Sequence, residues 1–199
     1  MSLLVALPAA LTANAPRRHD ADRRAAVAVV ARPGESGDEL LFIRRAEHPQ
    51  DPWSGHMAFP GGMVDPGDVD PLAAARRETR EELALDLDRD AALLGRLSDV
   101  RPLSLRASLA ITPFVFALRS SGADGGVGGG PQLVLDDREV QEALWIPWSF
   151  FADRGNRSTF FWARNGVPVP TPCYRFSDER VVWGLTLRMV DELLELVRR

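Results

Sequence analysis

Cysteine is nearly absent from this chain of 199 residues: Cys173 stands alone, so no internal disulfide can form. That usage suits a reducing cytoplasm and excludes a disulfide-stapled scaffold. No partner is identifiable near Cys173 in sequence, so it is expected to be a small buried hydrophobe and not a catalytic thiol. A surplus of positive charge is missing as well, since 24 Lys and Arg stand against 28 Asp and Glu for a formal net charge of -4. A polynucleotide binder normally shows a basic stripe, so none is expected as partner, whereas a small phosphorylated substrate stays admissible. Long apolar runs are lacking too. The stretch Leu3 to Leu11 is too short to cross a bilayer, has no basic residue ahead of it and is interrupted by Pro8, which argues against a membrane span or signal peptide. It reads as a short helix or arm (residues 1–22) docked on a single domain (residues 23–199). No internal repeat is visible.

What is present is ordinary globular composition, 45% hydrophobic and 26% charged. Val27 to Ala31 and Leu40 to Ile43 are short runs of β-formers around a Pro33-Gly34 turn, which predicts a hairpin. A polar loop, Ala46 to Gly55, precedes an extended Met57-Ala58-Phe59, and Gly61-Gly62 permits a sharp turn or a close approach of backbone to ligand. Asp70-Pro71 is a strong helix start, followed by an apolar stripe of Leu72, Ala75, Thr79 and Leu83. Asp86 and Asp88 are expected in a polar turn beyond it. Leu93 to Leu97 and Ile111 to Leu118 read as strands, with Pro113 pointing to an edge or bulge. Residues 120–130 form a Gly-rich stretch that reads as a flexible connecting loop. Val140 to Ile146 reads as a strand leading into a short helix, and Val181 to Leu196 as a terminal helix. Mixed strands with a central and a terminal helix predict an α+β or α/β sandwich.

The chemistry concentrates in Glu78, Glu81 and Glu82, which fall within a sector of roughly 100° on one helix face. Like charges so spaced cost about 0.2–0.5 kcal/mol per pair. A hard divalent cation would remove that conflict, because Mg²⁺ prefers carboxylate oxygens. The plainer alternative is a solvated face paired with Arg76, Arg77 and Arg80.

Gly61 to Leu87 resembles the Nudix hydrolases, whose box reads G-x5-E-x7-R-E-U-x-E-E-x-G-U. Arg77, Glu78, Glu81 and Glu82 fill its R-E-x-x-E-E core, with Thr79 and Leu85 at the flanking aliphatic positions. Two departures stand out: Asp68 replaces the first glutamate one residue farther from Arg77 than the box prescribes, and Ala84 replaces the glycine. The longer spacing, the pattern FPGG-x-x-D-x-x-D-x-D from Phe59 to Asp70, and the segments Leu40 to Ala46, Glu139 to Pro147 and Val181 to Met189 resemble the coenzyme A pyrophosphatase branch. The T-x-R-S-x-x-L opening of that branch is missing upstream of FPGG.

The resemblance implies an α/β/α sandwich with a mixed central sheet, a central helix carrying the box and a C-terminal helix. It implies a cytoplasmic, metal-dependent hydrolase that cuts the diphosphate linkage of a nucleoside diphosphate derivative, first of all coenzyme A or an acyl-coenzyme A. ADP-ribose, another dinucleotide, an oxidised nucleoside triphosphate, or a non-catalytic nucleotide-binding role are the alternatives; a homodimer is left open. Mg²⁺ or Mn²⁺ would sit on Glu78, Glu81 and Glu82 with a carbonyl of Gly62 or Gly61. Arg77 would orient the glutamates, and the general base stays open among Glu139, Glu142 and Glu81. Arg44 and Arg45 are candidates to reach phosphate, with exposure expected for one of them. Phe59 and Trp53 could offer a face to adenine or anchor the loop. His48 and His56 are not expected as ligands beside so much carboxylate, and Trp183, Gly184 and Thr186 are expected to pack the terminal helix.

Overall fold

A computed structural model describes residues 2–48, 54–102, 108–119, 130–164 and 167–198. Strands β1 (Arg23–Gly34) and β2 (Gly37–Arg45) form the expected antiparallel hairpin, with Ala31 opposite Leu40. The middle of β1 is apolar at consecutive positions because both of its faces are covered. Strand β6 (Leu109–Leu118) runs parallel to β1, and β5 (Ala91–Arg96) closes that side antiparallel to β6. On the other side β1 and β2 diverge, and two short strands fill the opening. Strand β3 (Met57–Ala58) pairs with β2, whereas β4 (Gly61–Met63) pairs with β1, so Phe59-Pro60 crosses from one to the other. Strand β7 (Val140–Pro147) borders β2, completing a mixed seven-stranded sheet.

Period-two alternation decides which helix covers which face. Ala28, Val30, Leu41 and Ile43 face Leu83, Leu85 and Leu87 at the end of helix α2 (Pro71–Leu83), whereas Val29, Ala31, Leu40 and Phe42 face the opposite layer. That layer holds α1 (Leu3–Ala13), α4 (Trp148–Ala152) and α5 (Gly184–Arg198); α1 buries Leu3, Leu7 and Leu11 at helical spacing. The chain has the predicted α/β/α arrangement. Among the described residues no helix is long and apolar enough to cross a membrane.

Several local expectations need correction. Pro113 lies in β6, an interior strand, opposite Val27 of β1. Its carbonyl accepts from Leu97 N at 2.9 Å, so its nitrogen faces the same side, where the β5 ladder has ended, and no bond to β1 is lost. Asp86 caps a single helical turn, α3 (Leu87–Asp90), in place of a plain polar turn. Val181–Trp183 is strand β10, and the terminal helix starts only at Gly184. Strands β8 (Arg157–Arg164) and β9 (Val167–Arg175) were not foreseen; with β10 they make a separate three-stranded antiparallel sheet. Pro168, Pro170 and Pro172 disguise β9 in the sequence. Spaced by two, they place every missing N–H on one edge and leave the other edge to pair with β8. The Gly-rich stretch at 120–130, apart from Gly130, and Trp53 fall outside the described residues.

Helix α2 ends at Ala84, whose φ of 54 and ψ of 22 are left-handed. Alanine there carries strain that glycine avoids. Ala84→Gly is expected to raise stability by about 0.5–1 kcal/mol, the relief of that strain less the extra freedom of glycine in the unfolded chain. Urea unfolding checks it: the midpoint should rise with an unchanged slope.

Candidate active site

The site is assembled from both ends of α2. At its start the Asp70 carboxylate accepts from Ala73 N at 2.7 Å, and Pro71 occupies the first turn, where no backbone donor is missed. At its end the orphan carbonyls of Glu82 and Leu83 accept from Asp136 N and Val134 N, each at 3.0 Å. The segment so tied down continues to Glu139, whose own carbonyl accepts from Ala46 N at 2.8 Å. Glu139 is thereby brought close enough to Glu78 and Glu82 to act on both electrostatically.

The two glycines fit against the glutamates. Gly61 has a φ of 142, and a Cβ on it would lie 2.2 Å from the Ala26 carbonyl oxygen, so no other residue fits there. Its N–H donates to Glu82 Oε2 at 2.9 Å. A Cβ on Gly62 would fall 2.5 Å from the Glu78 carboxylate. Gly61 is thus required by the backbone around it, whereas a side chain at Gly62 would displace the Glu78 carboxylate.

Arg77 is the hub. Its Nη1 donates to Glu78 Oε1 at 3.0 Å and Glu81 Oε2 at 2.9 Å. Its Nε and Nη2 grip Asp68 at 3.1 and 3.0 Å, and Nη2 also reaches the Met63 carbonyl at 3.1 Å. Hydrogen bonding from Arg77 holds the Asp68 carboxyl below its ordinary value. The departure at Asp68 is therefore compensated: the shorter side chain, one residue farther along, still meets the arginine.

Glu82 is 1% exposed, and burial pushes its carboxyl up to about 8. Glu78 and Glu139 add to that rise, while the Gly61 N–H and the charge of Arg45 oppose it. Burial raises Glu78 also, against the pull of Arg77. Glu81 is more than half exposed on its ion pair with Arg77. Among the described residues no three acidic, His or Cys side chains close on a common point, since Glu78 and Glu81 both turn to Arg77. The donor set nonetheless suits Mg²⁺ or Mn²⁺: it is all carboxylate, and its buried member is held back from ionising by burial first and by like-charged neighbours second, the condition that a hard cation reverses.

The other candidates divide. Arg45 acts on Glu82, and Arg44 pairs with Glu179 at 2.8 Å and Glu47 at 3.8 Å. Neither arginine is exposed, contrary to the expectation for one of them, because the strand end they occupy is flanked by β3 and β7. Phe59 takes the anchoring one of its two expected places. It is 2% exposed and stacked on Phe42 at 4.6 Å, where it anchors the crossing between β3 and β4. Glu142 is engaged by Arg180 at 2.6 and 2.9 Å, which leaves Glu139 as the better base candidate off the helix. Cys173 is buried, and burial raises its thiol. Thr186 Oγ1 donates to the Met57 carbonyl at 3.1 Å, pinning the start of α5 to β3. The Trp183 ring meets His56, Phe160 and Trp162. Those hairpin aromatics were missed, although the run Phe160-Phe161-Trp162 was a visible signal.

A model of the NUDIX domain family matches residues 22–160. An uncharacterized protein of Schizosaccharomyces pombe is 32% identical over 157 residues, 69% of this chain and 44% of that protein, so the chain spans less than half the relative's length. The uncharacterized Nudix hydrolase NudL of Yersinia pestis is 28% identical over 178 residues, 88% of this chain and 80% of the relative. The crystal structure of a MutT/nudix family protein from Enterococcus faecalis aligns with 100% of this chain and 71% of its own at a TM-score of 0.55 and 17% identity, a likeness of fold.

The raised Glu82 carboxyl has a thermodynamic consequence. In the unfolded chain it ionises near 4.5 and in the metal-free fold near 8, so the unfolded state sheds its proton first. Metal-free protein is expected to lose stability as pH climbs through that window, with no further loss above it, by on the order of 2–4 kcal/mol. Denaturant unfolding in EDTA across this range checks it. Glu82→Gln should flatten the wild-type slope, and Mg²⁺ should restore wild-type stability at the alkaline end.

Proposed function

The chain belongs to the Nudix family, and on that premise we propose that it hydrolyses the diphosphate linkage of a nucleoside diphosphate derivative, coenzyme A or an acyl-coenzyme A. The observation that carries this reading is the burial of Glu82 against the Gly61 N–H, with Glu78 and Glu139 crowding it. A merely structural helix gains nothing from that concentration of negative charge.

A diphosphate resists water because its oxygens are anionic and repel a nucleophile. Glu78, Glu81, Glu82 and a Gly62 carbonyl would hold Mg²⁺ or Mn²⁺, which would neutralise charge and make a nearby water more acidic. The chain supplies the alignment. The Gly61 N–H fixes one oxygen of Glu82, and Arg77 keeps Glu78 and Glu81 in register. Glu139, carried by a different segment, faces the glutamates and accepts the proton of the attacking water. Arg45 lies close enough to Glu82 to balance charge on the phosphates.

Support for the coenzyme A class comes from segments that share its pattern. Leu40 to Ala46 and Glu139 to Pro147 are neighbours as β2 and β7, and Val181 to Met189 reaches the same turn through Thr186 and Met57.

Incubation with coenzyme A, acetyl-coenzyme A, ADP-ribose, a diadenosine polyphosphate and an oxidised nucleoside triphosphate in Mg²⁺ or Mn²⁺, read by product mass, is the test. Coenzyme A should yield adenosine 3′,5′-bisphosphate and a phosphopantetheine faster than the others react. Glu82→Gln should lower kcat by about 10²–10³-fold, in line with loss of transition-state charge stabilisation, while the protein stays folded. Tight binding of one diphosphate with equal inactivity of both proteins would instead establish a nucleotide sensor.

A further inference from the structure

The outer face of the small sheet breaks the usual rule for an antiparallel sheet with one packed side. Tyr174 and Val182 turn inward to the core, so by alternation Cys173 and Trp183 turn to the other face. In register with them across β9 and β8 stand Val169, Thr171, Ser158, Phe160 and Trp162. Beside the polar Ser158 and Thr171 this face carries an aromatic cluster: Trp183 is edge-on to Phe160 at 5.1 Å and tilted against Trp162 at 5.4 Å, while Trp162 is still 39% exposed and Val169, opposite it, 38%.

This aromatic stack is continuous with the proposed active site. Trp183 also meets the His56 ring at 4.7 Å, and the His56 carbonyl accepts from Arg45 N at 3.1 Å, Arg45 being the cation that acts on Glu82. The turn that joins β9 to β10 is tied to the same strand end, since Arg44 pairs with Glu179 at 2.8 Å. A flat apolar surface linked through His56 and Arg45 to a diphosphate-cleaving centre is complementary to a nucleobase with phosphates attached. The open area on Trp162 is on the order of 100 Å², one ring face, far below the roughly 800 Å² per partner of a stable protein interface.

We propose that Trp162, backed by Trp183 and Phe160, is the stacking face that holds the purine ring of the substrate and so determines specificity. The inference deepens the hydrolase reading and rests on it for the identity of the phosphates. It does not depend on which carboxylate is the base.

Two measurements test it, one of which needs no turnover. With EDTA present, adenosine 3′,5′-bisphosphate should quench the tryptophan emission of the wild-type protein, inorganic pyrophosphate should not, and Trp162→Phe should lose most of the quench. With metal, Trp162→Ala should raise KM for the adenine-bearing substrate about ten-fold, the size expected for one lost base stack, with kcat essentially unchanged. Trp162→Phe, which keeps a ring, should recover most of that KM. An unchanged KM in Trp162→Ala, a loss that falls on kcat alone, or an identical quench in Trp162→Phe overturns the proposal. Quenching without hydrolysis of any diphosphate leaves the stacking face standing and overturns the hydrolase reading; hydrolysis with no effect at Trp162 does the reverse.

Discussion

One hydrogen bond organises this molecule: the Gly61 N–H to the buried oxygen of Glu82. To form it, the end of a helix and a glycine turn must come together with a carboxylate removed from water between them. Desolvating a carboxylate costs several kcal/mol, more than one backbone donor returns. The fold tolerates this because the apolar layer beneath, Leu83, Leu85 and Leu87 against the sheet, sets the position of α2 independently of the charge. The divergence of β1 and β2 then follows a local logic. Only where the two strands part can β3 and β4 carry a turn across the gap, and only a turn with no Cβ fits between Val27 and the helix.

Arg77 explains how the remaining charge is borne. Two like-charged i,i+3 and i,i+4 pairs cost well under 1 kcal/mol in water, so exposure alone would make Glu78 and Glu81 harmless. Half-burial changes that account, and a planar guanidinium that donates to three carboxylates at once offsets it. Lysine has no fork with which to make those contacts in fixed directions. Arg77 therefore acts on the position of the glutamates.

Legibility of the sequence tracked the range of the forces involved. The hairpin, α2 with its cap, β6 and β7 were readable because period, cap residue and turn residue all lie within a few positions of one another. The two arginines Arg44 and Arg45 were misjudged because their exposure depends on β3 and β7, which reach them from distant parts of the chain. Pro113 misled for a similar reason: one residue cannot show on which side of a strand a neighbouring ladder stops. The β8–β9 hairpin was hidden by prolines whose period of two is itself a strand signal once the free edge is known. Glu139 was a candidate by resemblance, but the bonds that deliver it, from Val134 and Asp136 to the last turn of α2, have no local signature.

The division of the chain carries a further meaning. Residues 22–160, matched by the family model, include Arg77, Glu78, Glu81, Glu82 and Glu139, whereas Trp162, Trp183 and all of α5 lie beyond them. A family that cuts many diphosphates needs one arrangement of carboxylates, since the anhydride is the same in every substrate. What differs is the group attached to it, and that group must be met by surface outside the shared centre. In this chain such a surface is the three-stranded sheet, tied to the large sheet by Trp183 on His56, Arg44 on Glu179 and Arg180 on Glu142, while Thr186 at the start of α5 bonds Met57. The contacts of Trp183 and Thr186 end on the few residues that lead into the Phe59-Pro60 crossing. The element that carries the glycine turn is thus also the element that fixes the distance between the reacting phosphates and the aromatic wall, so a change in hairpin sequence alters which substrate fits without disturbing how it is cut.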